Sequence, residues 1–391
     1  MKSKKSTKVE SAKSKVESVS LGSVASFDRT AAILKERNGL AYISLEDIDS
    51  TNGSIRIVER ADPKSTKFAF SPEHVLYGKL RPNLRKVARP DFSGICSTDI
   101  IPIRPSKRLD RDYLFHFLRT PAVTRLATQF AVGINLPRRS PKQLSTFDLP
   151  LPTFKAQRRI AEVLDRADAL RAKRRAALAQ LDELTQSLFL HMFGDPVTNP
   201  KGWPLRKLSD VGTLDRGISK NRPRNAPQLL GGPYPLVQTG DVANCGGYIR
   251  GFQSTYSEIG LRQSKMWPVG TLLITIAANI AKTGILTFSA CFPDSIVGFR
   301  AADAATVEYV RTWLSFLQKA LEDSAPESAQ KNINLATLRS LDIPLPAITL
   351  QREFAQRVSA VEQLKTSHRT SLAELDALFA TLQHRAFRGE L

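Results

Sequence analysis

Between Lys79 and Lys86, five side chains in eight residues donate hydrogen bonds: Lys79, Arg81, Asn83, Arg85 and Lys86. Such donors pair bidentately with base edges, and cations beside them meet phosphates. Part of the pattern returns 196 residues later as Asn279, Lys282 and Thr283. A second basic loop, Asn135 with Arg138, Arg139 and Lys142, has its counterpart in Lys331, Asn332 and Asn334. Gln238, Thr239 and Asp241 form a turn expected to face the same way if the copies share a fold. All are candidate nucleic-acid contacts. The formal charge of +20 over 391 residues favours a polyanion as the partner of such a surface.

The residues point to binding rather than catalysis. Asn-Pro-Pro-Tyr and Asp-Pro-Pro-Tyr are both absent, as is a Gly-rich loop opening a helix. The run Asn279-Ile280-Ala281-Lys282-Thr283 ends like a phosphate-binding loop, yet Ile276 and Ala281 stand where that loop needs glycine. Pro90-Asp91 has no downstream Glu-x-Lys at nuclease spacing. Three cysteines without CxxC spacing and five scattered histidines suggest neither a disulfide frame nor a metal site. The longest uncharged apolar stretch, Thr271 to Ala281, is too short to span a bilayer. We expect a cytoplasmic protein with no cofactor of its own.

The elements that must position these donors come in duplicate. Leu149-Pro150-Leu151-Pro152 followed by Gln157-Arg158 returns as Ile343-Pro344-Leu345-Pro346 followed by Gln351-Arg352, 194 residues later. Asp47 matches Asp241, Asn83 and Lys86 match Asn279 and Lys282, and Leu21 to Arg29 aligns with Leu208 to Arg216. Each copy has a front of short strand-like runs broken by Gly, Pro and Asn, hence an α+β domain. Each back carries apolar residues on alternating three- and four-residue steps, a heptad seam. The first seam includes Ile160, Val163, Leu170, Arg174, Leu181, Leu184 and Leu188; the second includes Phe354, Val361, Leu364, His368, Leu375, Leu378 and Leu382. In the second, Arg357 and Ser371 weaken two positions. Two long helices with one stripe each pair most simply antiparallel, with Arg174 and His368 meeting near the middle. The expected organisation is a basic, disordered arm (1–19), a front domain (20–152), a helix (153–195), a second front domain (196–346) and a second helix (347–391).

A Leu-Pro-Leu-Pro or Ile-Pro-Leu-Pro turn, then Gln-Arg, then a long amphipathic helix, occurring twice and each time behind an α+β domain, resembles the DNA-specificity subunits of type I restriction-modification systems. The likeness runs from about Val19 to Leu391. Thr153-Phe154 and Ala347-Ile348 replace the usual Pro-Pro step, and Ala156 and Leu350 replace the usual acidic residue before Gln. The resemblance implies two similar target-recognition domains joined by two antiparallel coiled-coil helices in a pseudo-twofold repeat. It further implies that each domain reads one half of a bipartite double-stranded DNA target, while the helices set the spacing and dock two methyltransferase subunits. S-adenosylmethionine, ATP and Mg would belong to partner subunits, among them a restriction and translocase subunit. Two readings compete with this one: a chain contributing to the active site of a single-complex restriction enzyme and methyltransferase, and a coiled-coil nucleic-acid-binding adaptor.

Overall fold

A computed structural model describes residues 16–31, 39–58, 66–129, 141–277, 280–301, 304–324 and 333–391. The chain divides into two compact units, residues 1–176 with 368–391, and residues 177–367. Neither unit coincides with a front domain alone, because each also takes about half of both long helices.

In the first unit a four-stranded antiparallel sheet runs in the order Ala25–Phe27, Ile100–Pro105, Val75–Gly78, Val87–Ala88. A three-stranded sheet places Gly94–Ser97 between Ala41–Ile43, its parallel neighbour, and Lys67–Phe70. Glu17–Ser20, partly assigned to the arm by sequence, instead pairs antiparallel with Asp148–Leu151 and closes the unit just ahead of the helix. Val75, Tyr77, Ile101 and Ile103 supply the core from the sheet, Tyr113, Leu114 and Phe117 from a helix at Arg111–Leu118. Asp110 caps that helix by accepting from the Asp112 and Tyr113 amides.

The second unit repeats the order of the four antiparallel strands and adds a fifth, parallel one. Its five-stranded sheet runs Gly212–Arg216, Ile296–Ala301, Leu272–Thr275, Thr283–Leu286, Gly247–Ile249, with only the last pair parallel. The strand ribbon is repeated as Leu205–Lys207 with Asp342–Pro344. The repeated Pro-rich turn also has a physical reason. Proline lacks an amide proton but keeps a carbonyl, and here both carbonyls are used. Tyr113 Oη donates to Pro150 O at 2.8 Å and Tyr309 Oη to Pro344 O at 2.5 Å. Gln157 Nε2 donates to Pro152 O and Gln351 Nε2 to Pro346 O, both at 2.9 Å. The motif locks each strand end to the first turn of a helix.

Those helices span Phe154–Phe193 and Ile348–Ala386 without a break, each about 60 Å at 1.5 Å per residue. Within the first unit Ile160 and Leu164 share a core with Ala386, and Arg171 bonds Asp376 at 2.5 Å, so the two segments run antiparallel. Within the second unit Phe189 and Phe193 pack their rings on Phe354, and Lys365 bonds Asp182 at 2.8 Å, the same sense.

The buried stripe differs from the expected seam. It reads Ile160, Leu164, Ala167, Arg171, Arg174, Leu178, Leu181, Thr185, Leu188, Met192 on one helix, and Phe354, Val358, Val361, Lys365, His368, Leu372, Leu375, Phe379, Leu382, Ala386 on the other. One heptad position is shared with expectation and the other has moved one residue on. Val163, Leu170, Leu184, Leu364 and Leu378, expected inside, are exposed, Leu364 by 54%. Anchoring sets the rotation: Ile160 and Leu164 are fixed in the first core, Phe189, Met192 and Phe193 in the second, and a helix held at both ends cannot turn its other apolar edge inward.

Charges occupy the middle of the stripe, and the two copies use them alike. Asp168 accepts from Arg171 at 2.6 Å, and Arg171 reaches Asp376 on the other helix. At positions 194 residues on, Glu362 accepts from Lys365 at 3.0 Å, and Lys365 reaches Asp182. Lys365 is only 4% exposed, and the nearly buried Glu362 does most to offset its desolvation, since Asp182 lies largely in solvent. Arg174 Nη1 donates to His368 Nδ1 at 3.1 Å, bringing together the two polar residues expected to meet. Nearby, Asp165 accepts from Arg89 through both oxygens, at 2.5 and 3.0 Å, and from His116 Nε2 at 2.8 Å. Burial raises the Asp165 carboxyl, but the His116 and Arg89 hydrogen bonds outweigh it and hold its pKa at about 2. Burial pushes the His116 pKa down, and the Asp165 contact opposes it only in part.

Candidate nucleic-acid interface

In the first unit the basic cluster sits on the loop joining the hairpin strands Val75–Gly78 and Val87–Ala88. The loop closes through Gly78 N donating to Lys86 O at 2.7 Å, and its tip is a single helical turn, Pro82–Leu84. Arg81 and Arg85 flank that turn in left-handed conformation, φ 49° and 51°. Residues with a Cβ rarely adopt this geometry, so the loop presents the two guanidiniums at a local backbone cost of about 1 kcal/mol each. Arg81, Asn83 and Arg85 are exposed, and the guanidiniums of Arg81 and Arg85 make no hydrogen bond among the described residues, their backbones alone bonding within the turn. Lys86 is committed elsewhere: its Nζ donates to Ile48 O at 2.5 Å, which ties the loop to the neighbouring turn. Lys79 is half-buried, its amide fixed by Asp99 O.

The second unit has the same hairpin, closed by Thr275 N donating to Lys282 O at 3.0 Å, and Ala281 has φ 55° where the first copy has Arg85. Its cations are fewer. Lys282 and Thr283 are half-buried, and the Lys282 amide donates to Thr275 Oγ1. Asn279 lies outside the described residues, as do Asn135, Arg138, Arg139, Lys331 and Asn332.

Two candidate contacts have structural work instead. Asp241 Oδ2 accepts from Gln238 N at 2.9 Å and caps the helix at Thr239–Ala243; a carboxylate so placed repels phosphate rather than binding it. Its repeat partner Asp47 does the same for Ser44, at 2.8 Å, which explains why the two copies share an Asp here. Asn334 accepts from Thr337 N at 2.7 Å as the cap of Leu335–Ser340, yet remains exposed.

The structure gathers the rest around a loop that sequence reasoning missed. Two adjoining hollows share Arg224 and Ser295. One is lined by Asn225, Leu236, Gln238, Thr239 and Tyr256, among others; the second by Arg216, Ile276, Ala277, Asp294 and Asn334, among others. Gln238, Thr239 and Asn334, far apart in sequence, thus border one concave surface. Its cations come from the segment Arg216 to Asn225, which carries Arg216, Lys220, Arg222 and Arg224 with no acid. That density was a readable signal. The segment is pinned along its length: Gly217 lies so close to Phe292 O that a Cβ would stand 2.3 Å from it. Ser264 Oγ donates to Ile218 O at 2.8 Å, and Gln263 Oε1 accepts from the Lys220 and Asn221 amides at 2.6 and 3.1 Å. Asp294 accepts from both Arg222, at 3.1 Å, and Arg224.

Among the described residues, no group of His, Cys, Asp and Glu is placed to hold a metal ion, and no helix is long and apolar enough to cross a membrane. The arrangement offers hydrogen-bond donors and positive charge on exposed loops, which suits recognition of a polyanion.

Comparison with known proteins gives this surface a context. The E. coli type I restriction enzyme EcoDI specificity subunit is 32% identical over 138 residues, 34% of this chain and 31% of that protein, so the match spans less than a third of the relative. The EcoKI specificity subunit of E. coli strain K12 is 21% identical over 330 residues, covering 77% of this chain and 69% of that one. The crystal structure of a type I restriction-modification S subunit from M. genitalium superposes over 97% of this chain and 98% of its own with a TM-score of 0.62 at 13% identity, which shows a common fold. A family model, the type I restriction modification DNA specificity domain, matches twice, at residues 13–180 and 200–377. Since those two matches take in most of the sequence, the chain belongs to the type I restriction-modification DNA specificity family.

Proposed function

We propose that this chain is the noncatalytic specificity subunit of a type I restriction-modification complex. Each recognition domain binds one half of a divided double-stranded DNA target. The helices set the gap between halves and dock two methyltransferase subunits, which supply S-adenosylmethionine chemistry. A restriction and translocase subunit using ATP and Mg joins for cleavage, in the cytoplasm. The observation that carries this reading is the duplication itself: one order of four antiparallel strands and one hairpin appear twice, with Arg81 and Arg85 on one loop and Ala277 and Ala281 at the matching positions of the other. A repeated framework with different side chains suits reading two different half-sequences.

The test is methylation of a randomised duplex pool by the chain assembled with its methyltransferase partner. Methylation confined to a divided sequence with two dissimilar halves is expected, and none from the chain alone with S-adenosylmethionine. Activity of the chain without a partner would overturn the noncatalytic assignment.

A further inference from the structure

We propose that the two half-sites are read from different edges of the same framework: the first from the hairpin loop at Arg81 and Arg85, the second from the tip of the pinned loop at Arg224, with Asp294 as the residue that positions it. This rests on the functional reading above and deepens it by naming the determinants.

The hairpin of the second domain has alanines where the first has guanidiniums, so any guanidinium fork for its half must come from elsewhere. The only segment of that domain with four cations and no acid in ten residues is Arg216 to Asn225. Of its arginines, Arg222 is spent: Nη1 donates to Ser219 O at 2.6 Å and Asn221 O at 2.9 Å, and Nη2 to Asp294. Arg224 makes only the Asp294 contact among the described residues, through Nη2, which leaves most of its five N–H donors unused. It stands where both hollows meet, within the surface that Gln238 and Thr239 border. A guanidinium held on one side by a carboxylate and presented on the other matches the fixed fork that bidentate recognition of a base requires. The loop beneath it is held at Gly217, Ile218, Lys220 and Asn221, so little order remains to be gained on binding.

Asp294 decides the outcome, because a carboxylate in a cationic groove has two separable effects. As a negative charge it weakens binding to every duplex. As a clamp it sharpens discrimination at one half. The full chain assembled with its methyltransferase is used to select from a randomised duplex pool, and the selected duplex is compared with versions in which one half is scrambled. Arg224→Ala should lose preference in one half only, with affinity for the selected duplex falling roughly tenfold or more; Arg81→Ala should lose it in the other. Asp294→Ala should lower discrimination at the Arg224 half about tenfold while binding the scrambled duplex as tightly as wild type or tighter, and Asp294→Glu should restore discrimination. Retention of both halves by Arg224→Ala, or an equal gain of Asp294→Ala for selected and scrambled duplexes, overturns the assignment. A wild-type complex that selects no divided sequence overturns the functional reading itself.

Discussion

At the scale of single residues, function and architecture draw on the same few side-chain types, and only the partner decides which role a residue has. Among the described residues the guanidiniums of Arg81 and Arg85 are unpartnered on a strained loop, whereas that of Arg89, a few residues on, is bound to Asp165. Replacing Arg81 or Arg85 by Ala should cost about 1 to 3 kcal/mol at the first half-site if a base is contacted, or reduce the salt slope by about one if a phosphate is; unchanged binding and salt dependence would remove the loop from the interface. Asp165→Asn should lower stability at pH 7 by about 1 to 2 kcal/mol, less than the full linkage value because solvent reaches a third of the side chain. The carboxyl pKa is depressed to about 2 in the fold, so its contribution exists above the ordinary value of 3.8 and is lost as pH falls between the two. The wild-type advantage in denaturant should therefore shrink from about pH 4 downward, and a gap independent of pH would refute the ion-pair account. His116, held below its ordinary value of 6.5 by burial, adds a loss of its own as pH falls below that value, because the unfolded chain takes up the proton first. The sequence allowed the cationic clusters to be found but not sorted. Asp241 was separable in principle, since it stands three residues after Gln238 in the spacing of a helix cap. The value of Arg224 was not, because Asp294 comes from a turn seventy residues away.

At the scale of elements, the two long helices were legible from heptad repetition and the Pro-rich turns, but their rotation was not. On the first helix Val163, Leu170 and Leu184 look as suitable for burial as Leu164 and Leu178, while Arg171 on the inner side reads as solvent-facing until Asp168 and Asp376 are seen around it. On the second helix the correct phase left a trace: Arg357 and Ser371 interrupt the expected seam, while Val358 and Leu372, one residue on, continue the buried one. Adjacent substitutions distinguish the two phases. Leu164→Ala, fully buried in the first core, should cost about 2 to 4 kcal/mol. Val163→Ala, 36% exposed, should cost under about 1 kcal/mol. Similar losses from both, measured by chemical denaturation, would contradict the observed rotation. Lys365→Ala should be harsher than its surface counterparts, by about 1 to 2 kcal/mol, because it takes one cation from the nearly buried Glu362, which keeps Arg250 at 3.0 Å, while Asp182 stays in solvent.

At the scale of the whole molecule, the proposed function makes helix length a measurable property of the target. Removing Arg171 to Ala177 together with Lys365 to Ser371 deletes one heptad from each helix and keeps both stripes in phase. Each helix shortens by about 10 Å, or about 3 base pairs of DNA axis. Sites selected by the shortened protein with its methyltransferase should keep both half-sequences with a smaller gap; an unchanged gap would show that the helices do not set it. The division of the chain bears on how the protein is made. The unit formed by residues 177–367 is continuous and can complete its core as soon as it leaves the ribosome. The other is split, and its core waits for Phe379, Leu382 and Ala386 to cover the helix face around Ile160 and Leu164. At ordinary elongation rates the first half is extruded roughly 10 to 40 s before the last helix that completes it. During that interval its apolar face is open to chaperones, to proteases and to the same face of another nascent chain, so events during synthesis, and not final stability alone, should bear on the yield of this half.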